Sequence, residues 1–205
     1  MQKLVLASSN RGKLAEIEPL LAGCGFQLLT QASLGVDDAV EDGLTFVENA
    51  LIKARHACTV TGLPALADDS GLIVDALHGA PGLASARYCG VHGDNAANIA
   101  QLLRDLLGVP EGERGARFYS MIVLLRHAGD PQPLIAQGVW EGRILEAPRG
   151  ELGFGYDPVF FDSTLGQGAA ELDAVLKNQV SHRGQALRQL RSQLLARART
   201  QPEPC

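Results

Sequence analysis

No run of apolar residues in this chain reaches the ~18 needed to cross a bilayer. Met1-Gln2-Lys3 leads straight into a strand-like segment, without the apolar region and small-residue cleavage site of a signal peptide. The four cysteines, Cys24, Cys58, Cys89 and Cys205, show neither C-x-x-C pairing nor zinc-like spacing. Together these absences point to a reduced, cytoplasmic compartment and no membrane partner. A basic excess is missing too. The formal net charge is -5, against the basic face with which proteins grip DNA or RNA, so no nucleic-acid partner is expected. Small phosphorylated ligands need only a few local cations and stay open. Internal repeats, low-complexity linkers, the G-x-x-x-x-G-K-[ST] loop and G-x-G-x-x-G are all absent. What is there is a chain of 205 residues, 46% hydrophobic, enough for a full core without disulfides or metals. By length it is one domain, or one domain with two lobes.

Leu4–Ala7 reads as a buried strand, followed by a helix over Arg11–Ala22 with Leu14, Ile17, Leu20 and Leu21 on one face, Asn10 as N-cap, and Gly23 and Gly25 as terminators. Phe26–Thr30 reads as a second strand. Thr45-Phe46-Val47-Glu48 fits a capping box, which opens a helix to about Val60. Pro64–Ala67 is expected as a strand running into Asp68-Asp69-Ser70-Gly71, with extended structure resuming at Leu72–Val74. Asp94 caps a helix to Leu107. Arg117–His127 and Leu134–Leu145 form two strands around a turn at Gly129-Asp130-Pro131. A glycine-rich loop, Gly150–Gly155, precedes a strand Pro158–Phe161, and Ser181 caps the last helix. Helices alternate with strands first and strands pair in the middle, which implies an α/β protein with a mixed sheet.

Five places combine residue types that carry chemistry. Ser8, Asn10 and Lys13 put hydroxyl, amide and ammonium groups at a helix N-terminus, where free amides and the positive dipole end attract anions. The competing reading is a simple cap with a solvated lysine. Asp68 and Asp69 close an apolar strand. Adjacent carboxylates repel unless a cation sits between them or one is protonated, and such oxygen ligands suit Mg²⁺; a plain acidic turn is the alternative. Glu41 and Asp42 precede a helix bearing Lys53, which lies five residues beyond Glu48 and so outside an i,i+4 pair; it faces either solvent or a shared site. Gly153-Phe154-Gly155-Tyr156-Asp157-Pro158 sets glycines beside aromatics, so that backbone can approach a flat ligand while a ring stacks on it. Lys177 and Ser181-His182-Arg183-Gly184 offer anion or carbonyl contacts at another helix start, without the order of a hydrolytic triad. Two cationic helix starts, paired carboxylates and an aromatic-glycine loop suit a nucleoside triphosphate held with a metal.

Ser8-Ser9-Asn10-Arg11-Gly12-Lys13, Thr45-Phe46-Val47-Glu48-Asn49-Ala50, Asp68-Asp69-Ser70-Gly71-Leu72, Phe154–Pro158 and Ser181–Gly184, in this order from Leu4 to about Leu195, resemble the inosine/xanthosine triphosphate pyrophosphatases. Those enzymes hydrolyse deaminated purine nucleotides such as dITP, ITP and XTP to the monophosphate and pyrophosphate. The resemblance implies an elongated mixed α/β fold with two lobes and a cleft between them over residues 1–200, a frayed tail at 201–205, a homodimer, and Mg²⁺ as cofactor. It implies that Ser8, Ser9, Asn10, Arg11, Gly12 and Lys13 hold the triphosphate, and that Asp69 accepts the proton of the attacking water and ligates metal with Asp68 and Glu41. It also implies nucleotide contacts from Lys53, Ser70, Phe154, Gly155, Tyr156, Asp157, Lys177, His182 and Arg183. One departure is Val40-Glu41-Asp42-Gly43, where the family commonly shows two successive glutamates. Either Glu41 serves as the second metal ligand or the metal keeps more water. The rivals are a Maf-like pyrophosphatase acting on dTTP or UTP, against which Asn10 and Lys13 in the first turn argue, and a nucleotide sensor without catalysis, against which Asp68-Asp69 argue.

Overall fold

The computed structural model describes residues 1–200; the tail expected to fray at 201–205 lies outside them. In chain order the elements are β1 (Gln2–Leu6), α1 (Arg11–Leu21), β2 (Phe26–Thr30), α2 (Phe46–Thr61), β3 (Ala65–Val74), α3 (Asn95–Asp105), β4 (Gly115–Leu125), β5 (Leu134–Ile144), β6 (Phe160–Asp162), β7 (Gln167–Gly168), α4 (Ala174–Val180) and α5 (His182–Thr200), with short 3₁₀ turns between them. The strands form one seven-stranded sheet in the order β2-β1-β3-β4-β5-β6-β7. It is mixed. β1 runs parallel to β2 and β3, whereas β6 pairs antiparallel with β5 and β7. The expected α/β class with a mixed sheet is what the chain adopts.

The chain divides into two compact units. The first comprises Met1–Asp69, Ser120–Gly138 and the chain from Arg183, and the second Ser70–Tyr119 and Val139–His182. Each has its own apolar core. In the first, Leu4, Leu6 and Leu66 of the parallel strands meet Ile17 and Leu21 of α1 and Leu187 and Leu190 of α5. In the second, Leu102 and Leu106 meet Phe118, Trp140, Tyr156 and Phe160.

Local signals hold where local chemistry decides. Asn10 caps α1, its Oδ1 accepting the Lys13 amide at 3.1 Å. Thr45 caps α2 by accepting from the Glu48 amide at 3.3 Å, but Glu48 reaches back to the Leu44 amide and the Thr45 hydroxyl rather than to the Thr45 amide. Gly62 closes α2 in the left-handed region, φ +67°, where only glycine sits without strain. Two expectations change. β3 is one ten-residue strand running through Asp68-Asp69-Ser70-Gly71, so the two aspartates do not stand at a strand end. The strand expected at Pro158 starts at Phe160, because Asp157–Val159 forms a 3₁₀ turn. Ser181 stands immediately before α5, at the N-cap position expected for the last helix, and it also ends α4, its amide donating to the Lys177 carbonyl. The seven residues of α4 are too few for a helical repeat to be read along the chain.

Candidate active site

Successive residues of a strand point to opposite faces, and this separates Asp68 from Asp69. Asp68 is 1% exposed. Its Oδ1 accepts from the Ser120 hydroxyl at 2.6 Å, and its Oδ2 lies 2.9 Å from the Lys13 ammonium and 3.3 Å from Arg183 Nη2. The other terminal nitrogen of Arg183 pairs with Glu16 on α1. Burial alone would lift the Asp68 carboxyl, but Arg183, Lys13 and the Ser120 hydroxyl outweigh it and hold the group well below the usual carboxylate range. Lys13 is pulled down by burial and by its like-charged neighbours Lys53 and Arg183, against the attraction of Asp68.

Asp69 belongs to a different set. Its Oδ1 accepts from Lys53 Nζ at 2.6 Å, and the same ammonium lies 3.1 Å from Glu41 Oε2. Burial raises the Asp69 carboxyl above its ordinary value despite the pull of Lys53. Lys53 is raised as well, since Asp69 and Glu41 together outweigh its own burial. Lys53 thus faces the shared site rather than solvent. Among the described residues no group of three His, Cys, Asp or Glu side chains is placed to hold a metal ion. Glu41 and Asp69 nonetheless converge on one cation, their own lysine, with oxygen donors only. That donor set fits Mg²⁺, which keeps several waters and completes its shell with substrate phosphates. Both oxygens of Asp68 are instead engaged by Ser120, Lys13 and Arg183.

The turn before α1 contributes backbone. Ser8 Oγ accepts the Asn10 amide at 3.2 Å. The first intrahelical bond, Leu14 to Asn10, leaves the amides of Arg11 and Gly12 without intrahelical partners. Ser9 donates to Asp38 at 3.1 Å, and the Arg11 side chain is exposed.

The second unit holds a second group. Asp157 Oδ2 accepts from the Phe154 amide at 2.7 Å and from Lys177 Nζ at 2.6 Å. The same ammonium lies 4.9 Å from the centroid of the Phe154 ring. Gly153, at φ +77°, has no room for a side chain, since a Cβ there would fall 2.2 Å from Asp157 Oδ2. Tyr156, expected at the nucleotide, has its ring in the core at 5% exposure, and its hydroxyl donates to the Ser85 carbonyl at 2.8 Å. Only its backbone is left to meet a ligand. The His182 ring stacks on Phe118, centroids 4.9 Å apart and planes 13° apart. Ser70 follows Asp69 on β3 and is half-buried.

The first unit thus holds a helix start with free amides and a carboxylate pair around a cation, and the second an aromatic-lysine loop. The model of the Ham1 family matches residues 4–193. The chain belongs to the Ham1 family. Proteins named dITP/XTP pyrophosphatase from Xylella fastidiosa and Halorhodospira halophila are 63% and 58% identical to it, over 93% and 92% of this chain and 96% and 94% of theirs. Among solved structures, a HAM1 protein from Coxiella burnetii superimposes with a TM-score of 0.89 at 49% identity, covering 96% of this chain and 100% of that one. The Ham1 protein of Staphylococcus aureus gives 0.84 at 34% identity with the same coverage.

Two members of this Ham1-family site escape a reading of the sequence. Glu16 lies three residues after Lys13 on α1, a spacing that puts both on one helix face and is a usable signal. Ser120 lies in the strand Arg117–His127 and carries no local sign of its bond to Asp68, 52 positions away.

Proposed function

We propose that this chain hydrolyses deaminated purine nucleoside triphosphates, dITP and XTP among them, to the monophosphate and pyrophosphate. The observation that carries this reading is the split of Asp68 and Asp69 across β3. One carboxylate anchors Lys13 and Arg183, and the other stands with Glu41 around a cation. The names of the relatives support the substrate class. In this reading the amides and hydroxyls of Ser8–Gly12, with Lys13, receive the triphosphate. Asp69, oriented by Lys53, takes a proton from water as the water oxygen bonds to phosphorus. The bond from that phosphorus to the α–β bridging oxygen breaks, and pyrophosphate leaves with the electron pair. Glu41 and Asp69 would hold Mg²⁺, which when bound neutralises phosphate charge and polarises the reacting phosphoryl group.

Phe154, Gly155, the Tyr156 backbone, Asp157, Lys177 and His182 are assigned to the nucleoside. A 6-oxo purine presents an acceptor where adenine presents an amino donor, and a site that donates there rejects the wrong base by ~10⁴-fold or more. Because the terminal nitrogens of Arg183 face Glu16 and Asp68, the guanidinium is assigned to anchoring Asp68, and the contact to the 6-oxo group to the Ser181–His182 segment. A homodimer and a cytoplasmic location complete the proposal. No helix among the described residues is long and apolar enough to cross a membrane.

The test is pyrophosphate release from dITP, XTP, dATP, dTTP and UTP with Mg²⁺ and with chelator. Release from dITP and XTP that stops on chelation is expected. Preference for dTTP and UTP would instead indicate the Maf-like activity, and binding without release a sensor. Asp69→Asn should lower kcat by ~10²–10⁴-fold; retention of more than about a tenth of the wild-type value removes Asp69 as the base.

A further inference from the structure

Asn49 takes no part in the assignments above, yet it is a polar side chain at 4% exposure in the first turn of α2. Its Oδ1 accepts the Gly43 amide at 2.9 Å. One residue earlier, Glu48 accepts the Leu44 amide at 2.9 Å. The irregular segment that these bonds hold is also fastened upstream. His56 Nε2 lies 3.0 Å from the Asp37 carbonyl, and Ser9 donates to Asp38 at 3.1 Å. Glu41 lies between the two sets of ties and is itself exposed in an irregular segment, so nothing in its own backbone fixes it. Gly43 comes against α2 as bare backbone, because a Cβ would fall 2.7 Å from Asn49 Oδ1 and 2.7 Å from Glu48 Cβ. One helical turn beyond Asn49 on the same helix, Lys53 reaches Glu41 at 3.1 Å and Asp69 at 2.6 Å. A neutral amide suits this joint, since it fixes a backbone N–H without adding a charge beside two carboxylates and an ammonium.

We propose that Asn49 is a positioning residue that sets the Glu41 carboxylate against Lys53 and Asp69 by fixing the Gly43 backbone. This rests on the reading of Glu41 and Asp69 as the cation-holding pair. The experiment titrates Mg²⁺ into the nucleotide-free protein by calorimetry and follows dITP turnover across Mg²⁺ concentrations for the same variants. Asn49→Ala weakens Mg²⁺ binding by about ten- to a hundred-fold, as removal of groups that orient metal ligands does. It raises the Mg²⁺ needed for half-maximal turnover in step, while KM for dITP at saturating Mg²⁺ moves by less than about twofold. In a Glu41→Gln background the further effect of Asn49→Ala falls below about twofold, since interacting sites are non-additive. Gly43→Ala breaks the same joint from the other side, reproduces the Asn49→Ala shift and carries the test if Asn49→Ala does not fold. Equal losses with and without the Glu41 carboxylate overturn the proposal and leave the role of Glu41 standing. Wild-type Mg²⁺ binding by Glu41→Gln overturns both.

Discussion

Asp68 and Asp69 have the same side chain on adjacent positions, and their surroundings drive them in opposite directions. The Asp68 carboxyl is held well below its usual range by Arg183, Lys13 and Ser120 against its burial, so its ionised form stabilises the fold. The Asp69 carboxyl is raised by burial, so its ionised form is held at a cost to the fold. A single neutralising substitution at each position therefore separates support of the fold from the base role proposed for Asp69. Asp68→Asn leaves Lys13 and Arg183 short of a buried counter-charge and should lower stability by about 3–5 kcal/mol, the range for breaking a buried pair. Asp69→Asn leaves Lys53 with Glu41 and should keep stability near wild type or raise it. Urea unfolding of both variants, monitored through the transition midpoint at constant slope, checks this. A larger loss for Asp69→Asn than for Asp68→Asn would reverse the assignment of roles.

At the scale of elements, the joint between β4 and β5 shows how one side chain fixes a turn. Asp130 has no exposed side-chain surface and accepts from Arg126 Nε at 2.8 Å, from Arg126 Nη2 at 2.5 Å, and from the amides of Arg126 and Gln132 at 3.0 Å each. The Arg126 side chain, above all, holds the carboxyl below its ordinary value of 3.8, with the two amides adding to it against a smaller opposing effect of burial. A depressed carboxyl contributes stability that is fully present above the unfolded value and is lost as pH falls through the folded one. Asp130→Asn should therefore be less stable than wild type near neutral pH, and the gap should close as pH drops below 3.8. Thermal unfolding of the pair across that acid range is the measurement. A gap that stays constant to the lowest accessible pH would show that the turn depends on shape rather than on charge.

For the whole molecule, the division into two units falls inside β3, β4 and β5 and at the start of α5, so the chain passes from one to the other four times. Neither unit is a continuous segment, and three of the four passages are strands of one sheet. Loss of either unit would leave these strands half-paired, so both should unfold together. The single tryptophan, Trp140, gives a local probe. It is 3% exposed in the core of the second unit, with its indole N–H donating to Asp162 at 2.8 Å. Tryptophan fluorescence reports the second unit, whereas far-ultraviolet circular dichroism reports the helices of both. Coincident denaturation curves from the two probes are expected. A fluorescence transition displaced from the dichroism transition would mean that the units unfold separately.

Elements whose signals are local were legible in the chain before any fold. The caps at Asn10, Thr45 and Asp94 and the stripe Leu14-Ile17-Leu20-Leu21 lie within a few residues of the groups they satisfy, and helices α1, α2 and α3 fall within two residues of where those signals place them. The motifs also pointed to a chemistry, because side-chain types suited to phosphate and cation binding occur in clusters along the chain. How the clusters come together depends on long-range packing. β3 runs on through two aspartates because its neighbours in the sheet, distant in sequence, hold it extended, and the pleat then turns the two carboxylates to opposite faces. Asp68 meets Lys13 across 55 positions and Arg183 across 115, partners that no local pattern connects. Tyr156 looks like a stacking ring in a glycine-rich loop, but its hydroxyl finds the Ser85 carbonyl 71 positions away and its ring closes a core. A residue type announces what it can bond to over a few ångströms, and only the fold brings distant segments within that range.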